Sequence, residues 1–405
     1  MKNFKNKAGL IIAIVITLVG LNFSSEIIYL SELASTVYKI QRTKADITDY
    51  KYFENIEISK SNSPKPWPIH KNYNIKPETQ NLKKIHTELG TVAYLIIKND
   101  SIWHEKYYKG YNQNSYSNSF SMAKSIVSAT MGKAIGDGYF ESLDDKVGVY
   151  VEGYSEGYAA NLTIGDLSSM SSGLDWDESY SDIFGVTAKS YITSQLNDFI
   201  KSRSIIEEPG KSFKYYSAST QLLAMTIEKA TQKKISTLVQ EWFVEPLGFE
   251  NNALWQIDGN TNKSIKAYCC FNSNARDFAR FGKLYKDFGK WNGIQILDSS
   301  FVAKSINPRF EKSPEYGYGF WLGKINENNF FAMRGILGQY VIVVPNKNII
   351  VVRLGEKNLE KNNDRPKDFD IYLKEALVML ESEKFDYEEK TSLNVIEIVS
   401  SRPCC

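Results

Sequence analysis

Apolar and polar positions along the chain change their period twice. Near the start of the ordered region, "GTVAYLIIKND" and "SIWHEKYYKGYN" are β-branched and aromatic runs joined by Asn99-Asp100, a pair suited to a tight hairpin. Between Asn118 and Phe140, "NSFSMAKSIVSATMGKAIGDGYF" reads as a polar loop entering a helix that begins near Ser121 and ends near Gly136. Helical patterns follow at Thr220 to Ala230, Ile235 to Phe243 and Ala275 to Phe288, the last with Phe278, Phe281 and Leu284 on one face. Strand patterns then return in "YGYGFWLGKI", "NNFFAMRGILGQYVIVVP" and "NIIVVRLG", and "KDFDIYLKEALVML" predicts a closing helix. Strands at both ends with helices between them predict an α+β fold, an antiparallel sheet completed by distant parts of the chain and carrying an inserted helical subdomain.

The ends read differently. Lys2, Lys5 and Lys7 precede an apolar run from Ala8 to Leu21, the layout of an export signal. That run is short for a membrane span, and no clear small-x-small cleavage site follows it, so a cleaved signal and a retained anchor over 1–23 both stay open. Basic residues ahead of the run would hold the N-terminus inside and put the rest of the chain outside the membrane, periplasmic or anchored. Residues 24–75, with Pro64, Pro66 and Pro68, predict a polar stalk or irregular wrap. A single large domain then occupies 76–385, and 386–405 is a tail without a pattern.

Composition narrows the function classes. With 405 residues and 42% hydrophobic content, about 300 residues remain for one large core once the ends are set aside. Net charge is +2 with Lys and Arg spread along the chain, so there is no footprint for a nucleic-acid partner. Cys269-Cys270 and Cys404-Cys405 are adjacent pairs, which fit neither zinc spacing nor a bridge between neighbours; free thiols and a bridge between the two pairs both remain.

The chemistry turns on the missing histidine context. A Ser-His-Asp hydrolase needs a histidine base, but His104 lies in a strand pattern, and His70 and His86 flank a polar segment. No H-e-x-x-H zinc pattern is present either. A lysine can serve as base once burial lowers its pKa and leaves a neutral amine. Ser121 and Lys124 stand at i and i+3, neighbours on one helix face, and the Ser121 backbone N–H at a helix start can point at a developing oxyanion. Ser-x-x-Lys is not specific by itself, since two fixed positions in four arise by chance roughly once or twice in such a chain. Here it occurs once. The competing reading has Ser121 capping the helix and Lys124 solvated. Farther along, Tyr215 either places its phenol beside Lys124, where a cationic amine would favour partial phenolate character, or is an ordinary core tyrosine, one among 25.

Taken in order, "SMAK", "GYFESLDDKVGVYV", "LTIGDLSSMSSGL", "PGKSFKYYSASTQLL", "EPLGFENNALW", "NARDFARFGKLY" and "GILGQYVIVVPNKNIIVVRLG" resemble the serine β-lactamase family, from about Gly90 to Leu380. The branch is that of class C-like esterases, D-amino-acid peptidases and 6-aminohexanoate-oligomer hydrolases. The resemblance implies that Ser121 is the acylated nucleophile, Lys124 its base and Tyr215 the proton relay that opens a Tyr-x-Asn element. Ser217 stands where the family often has Asn, and Met333-Arg334-Gly335 stands where it has Lys-Thr-Gly. Arg334 would then either contact substrate in place of a lysine or face solvent from its strand, and Gly335 would line the site. The amides of Ser121 and Ile336 would form the oxyanion hole, and Tyr180 would hold a leaving amine.

The expectation is an exported serine hydrolase that cleaves a small ester or amide through an acyl-enzyme, with no cofactor and no metal. Two rivals differ in class. One is a penicillin-recognising β-lactamase or D,D-peptidase, disfavoured by the missing Lys-Thr-Gly lysine. The other is a catalytically silent, membrane-anchored binding module, whose hallmark would be loss of Ser121, Lys124 or Tyr215.

Overall fold

The β-branched runs from the two ends of the chain pair with each other. In the computed structural model, which describes residues 26–362 and 365–382, they form one six-stranded antiparallel sheet. Its strands in chain order are β1 (Thr91–Lys98), β2 (Ser101–Tyr107), β3 (Trp321–Ile325), β4 (Asn328–Gly335), β5 (Gln339–Val344) and β6 (Ile349–Gly355), arranged β2-β1-β6-β5-β4-β3. The junction between the early and late segments is β1 against β6, in register from Ile349 opposite Lys98 to Arg353 opposite Tyr94. Asn99 and Asp100 both take positive φ in the β1–β2 turn, as the hairpin signal predicts.

Both faces of this sheet are covered, which explains why its strands are apolar runs rather than alternating ones. The helices that set the site are α1 (residues 26–40), α2 (Gln80–Glu88), α3 (Ala123–Gly136), α4 (Ser217–Thr231), α5 (Ala275–Lys286) and α6 (residues 367–382). Along β5, Tyr340, Ile342 and Val344 join the core under α2 and α6, while Val341 and Val343 join the larger core under α5. Successive side chains pointing to opposite faces produce this split. Phe278, Phe281 and Leu284 of α5 are buried, as their spacing predicts, and Gly282 lets that helix lie close: a Cβ there would be 2.9 Å from Val341 Cγ1.

Two expectations change. The segment 24–75, read as a polar stalk or irregular wrap, is built into the domain: α1 lies within it, and Ile47, Ile58 and Trp67 enter the main core. Its strand Asn55–Ile58 opens a second sheet, continued by Ala253–Gln256, Phe271–Ser273 and Ser117–Asn118. Four short strands drawn from four distant segments leave no continuous pattern in sequence, so only their pairing reveals them. The pattern at Ile235 to Phe243 divides into an α-helix over Ile235–Val239 and a π-helical turn over Gln240–Val244. The apolar run at 8–21 and the tail 386–405 with Cys404-Cys405 lie outside the described residues, among which no helix is long and apolar enough to cross a membrane.

Candidate active site

The second sheet aims one edge of the site. Ser117–Asn118 ends in a turn where the Asn118 side chain accepts from the Phe120 N–H at 2.9 Å, and Phe120 takes φ 43°, a costly conformation for a bulky residue. A 3₁₀ turn over Phe120–Met122 then leads into α3. Ser121 thus stands on the turn that starts the helix, and Lys124 follows one turn later. Lys124 Nζ lies 3.0 Å from Ser121 Oγ and donates to the Tyr268 carbonyl at 2.9 Å.

Lys124 is buried, and that burial pulls its amine down to about 8; the negative charge of Glu178 works in the opposite direction without cancelling it. Tyr215 arrives from the segment before α4, with its ring 5.1 Å from Lys124 Nζ and its phenol hydrogen-bonded to Ser121. Its expected phenolate character is not found. Burial pushes the phenol above its ordinary range, and the bond to Ser121 and the charge of Arg334 offset this only in part. Tyr215 is therefore a neutral hydroxyl, able to donate a proton as well as accept one.

Arg334, at the end of β4, is buried rather than facing solvent, and its guanidinium lies 3.8 Å from the centre of the Trp321 ring. Trp321 also packs on Tyr215 at 5.1 Å and on Tyr316 at 5.0 Å between ring centres. This aromatic cluster packs Tyr215 in place, and neither Trp321 nor Tyr316 stands out in sequence among 7 Trp and 25 Tyr. Gly335 allows the strand end to touch the Ser121 turn, because a Cβ there would meet the Ser119 carbonyl oxygen at 2.3 Å. Ile336 follows and lines the same cavity as Ser121.

Ser217 and Tyr180 are both engaged by a residue the sequence reading assigned no role. Glu178 accepts from Ser217 Oγ at 2.5 Å, the Ser217 N–H at 2.7 Å, the Tyr180 hydroxyl at 2.6 Å and Trp176 Nε1 at 2.9 Å. The Ser217 hydroxyl, which stands where the family often has Asn, is thereby turned to a carboxylate. Four donors satisfy both carboxylate oxygens, and the charge also sits at the N-terminus of α4, where it is favoured. The crowding of Trp176, Glu178 and Tyr180 in "SSGLDWDESYSD" was the only hint in sequence.

Cys269 and Cys270 form a disulfide with each other, overturning the expectation that neighbours do not bridge. Cys270 adopts φ 69°, a tight turn that spacing alone does not disclose. The turn joins two sides of the site: Tyr268 supplies the carbonyl for Lys124, and Phe271 exchanges hydrogen bonds with Ser119, N–H to Oγ at 3.1 Å and Ser119 N–H to carbonyl at 2.9 Å. His86 and His104, given no catalytic role in sequence, sit in the opposite core beside Glu78, at 3.6 and 3.3 Å.

Solved structures of the same architecture are numerous. A protein from Bacillus anthracis described as a 6-aminohexanoate-dimer hydrolase is 20% identical, with 85% of this chain and 93% of that chain covered and a TM-score of 0.69. The hydrolase EstCE1, described as having promiscuous acyltransferase activity, is 15% identical over 67% of this chain and 91% of its own, at a TM-score of 0.55. A D-stereospecific amidohydrolase from Streptomyces is 15% identical over 66% and 89%, at 0.52. At these identities the likeness is one of fold. No curated protein matches the chain. The sequence profile described as Beta-lactamase matches residues 79–373, well over half of the chain, which is therefore a serine hydrolase of the beta-lactamase family.

Proposed function

We propose that the protein is an exported hydrolase that cleaves a small ester or amide through an acyl-enzyme on Ser121. The observation that carries this reading is the buried Lys124 amine 3.0 Å from Ser121 Oγ, with the Tyr215 phenol bonded to the same serine. The neutral amine takes the hydroxyl proton as Oγ attacks the carbonyl carbon. Tyr215 then passes a proton to the leaving alcohol or amine, and later relays one from the water that cleaves the acyl-enzyme. The amides of Ser121 and Ile336 hold the oxyanion, while Tyr180 and Arg334 contact the substrate. Glu178 acts through Ser217 and Tyr180 as a positioning residue. Export follows from the lysines and apolar run at the N-terminus.

The test is hydrolysis of a chromogenic acetate ester by Ser121→Ala. Its kcat/KM should fall by about 10³-fold or more with the melting temperature nearly unchanged, and undiminished turnover would end the assignment. A second reading, recognition of a penicillin, rests on the buried cation Arg334 beside the site. Fluorescent penicillin attached to Ser121 would favour it, and absence of labelling with retained esterase activity would favour the ester or amide.

A further inference from the structure

Ser121 opens onto a cavity of about 160 Å³ that the reaction at the serine does not explain. Leu33, Val37 and Ile40 of α1 face it from one side, and Ile183, Ile192 and Ile336 from others. Tyr29, Leu33, Val37 and Ile40 of this helix recur on one face at helical spacing. It is pinned by polar contacts at its flank: Glu26 pairs with Lys189 at 2.7 Å, Glu32 accepts from the Ser194 N–H at 3.1 Å, and the Tyr29 hydroxyl donates to the Ile183 carbonyl. The polar contacts hold α1 in place while the apolar face remains incompletely filled by protein. Four charged residues, Arg42, Lys44, Asp49 and Asp182, reach the rim of the wall, and Arg42 and Asp49 neutralise each other in an ion pair.

An unfilled apolar wall forfeits dispersion contacts that an apolar guest would restore, and such cavities take apolar ligands rather than water. An apolar cavity of about 150 Å³ takes a six-carbon ring, so one of about 160 Å³ accommodates an apolar group of roughly six carbons. We propose that it is an acyl-chain pocket, and that the preferred substrate carries a linear aliphatic acyl group of roughly six to eight carbons. This rests on Ser121 being the nucleophile. Ser121 Oγ bonds the acyl carbon as the ester C–O bond breaks, and the serine proton goes to the leaving alcohol. Water then splits the serine ester, releasing the carboxylic acid and restoring the hydroxyl.

The test compares p-nitrophenyl acetate with p-nitrophenyl octanoate on the full chain. Octanoate should have a kcat/KM about tenfold higher or more, since each accommodated methylene adds to discrimination. Val37→Trp, which fills the cavity, should lower octanoate turnover by about tenfold while leaving acetate within about twofold. Leu33→Trp gives the same readout if the first variant does not fold. Equal kcat/KM for the two esters in the unaltered protein, or equal losses on both in a folded Trp variant, would overturn the pocket. Failure of the serine is separable: sodium octanoate should raise the melting temperature of Ser121→Ala, but not of Ser121→Ala/Val37→Trp, whether or not that serine is the nucleophile. No shift with octanoate would also count against the pocket.

Discussion

Lys124 decides what Ser121 can do. Its amine is half-deprotonated near pH 8, so at lower pH most molecules hold the ammonium, which cannot accept the serine proton. Accordingly, kcat/KM should rise with pH and level off above a midpoint near 8; a profile flat from pH 6 to 10 would contradict a lysine base. Lys266, another buried lysine, is pulled by burial to about 7 but bonds the Tyr191 carbonyl rather than Ser121, so Lys266→Met should keep the midpoint. Glu178 supplies a sharper check. Its negative charge favours the Lys124 ammonium, so Glu178→Gln should move the midpoint below that of the unaltered protein. It also leaves buried donors of Ser217 poorly matched, and kcat/KM should drop on the order of tenfold. A purely structural role for Glu178 would lower activity without moving the midpoint. The closeness of Ser121, Lys124 and Tyr215 was legible in sequence because a helix start places the first pair at i and i+3 and ordered motifs point to the third. Glu178 was not, because its role depends on four donors from three residues, Trp176, Tyr180 and Ser217, meeting one carboxylate.

Two short elements hold the site together, and each invites a substitution. Gly335 closes β4 against the Ser121 turn, with no room for a Cβ beside the Ser119 carbonyl. Gly335→Ala should cost about 1–3 kcal/mol in denaturant unfolding and lower activity with it; unchanged stability would show the contact to be loose. The turn carrying Cys269-Cys270 links the carbonyl that receives Lys124 to the strand that receives Ser119. Opening the bridge by a dithiol, or in Cys269→Ser/Cys270→Ser, should reduce kcat/KM on the order of tenfold, because the amine and hydroxyl lose their shared frame. Equal activity before and after reduction would contradict that role. Apolar β-branched and aromatic runs disclosed the long strands, and helical spacing of Phe278, Phe281 and Leu284 disclosed α5. The second sheet and α1 escaped, since short strands from distant segments and a helix flanked by polar chain give no comparable signal.

Across the molecule, the α+β architecture followed from strands at both ends of the domain, but the opposite core hides a titrating pair that sets acid stability. Burial holds the His86 imidazole at about 3 despite the charge of Glu78. Burial pulls the Glu78 carboxyl up, but hydrogen bonds from His104, Tyr108 and Lys106 outweigh it and hold it at about 2. Both groups bind fewer protons folded than unfolded at mildly acidic pH, so stability rises with pH there. Unfolding free energy should fall as pH drops below about 6.5, and more steeply below about 4.5 where the carboxyl also contributes. Phe substitution at His86 should flatten the first part of that decline; an unchanged slope would assign it elsewhere. The most direct test of the central assignment is mass spectrometry of the protein quenched in acid during turnover of a slow ester. The peptide containing Ser121 should gain the mass of the acyl group, and the gain should vanish in Ser121→Ala. Acylation at another residue, or full turnover by Ser121→Ala, would contradict the account.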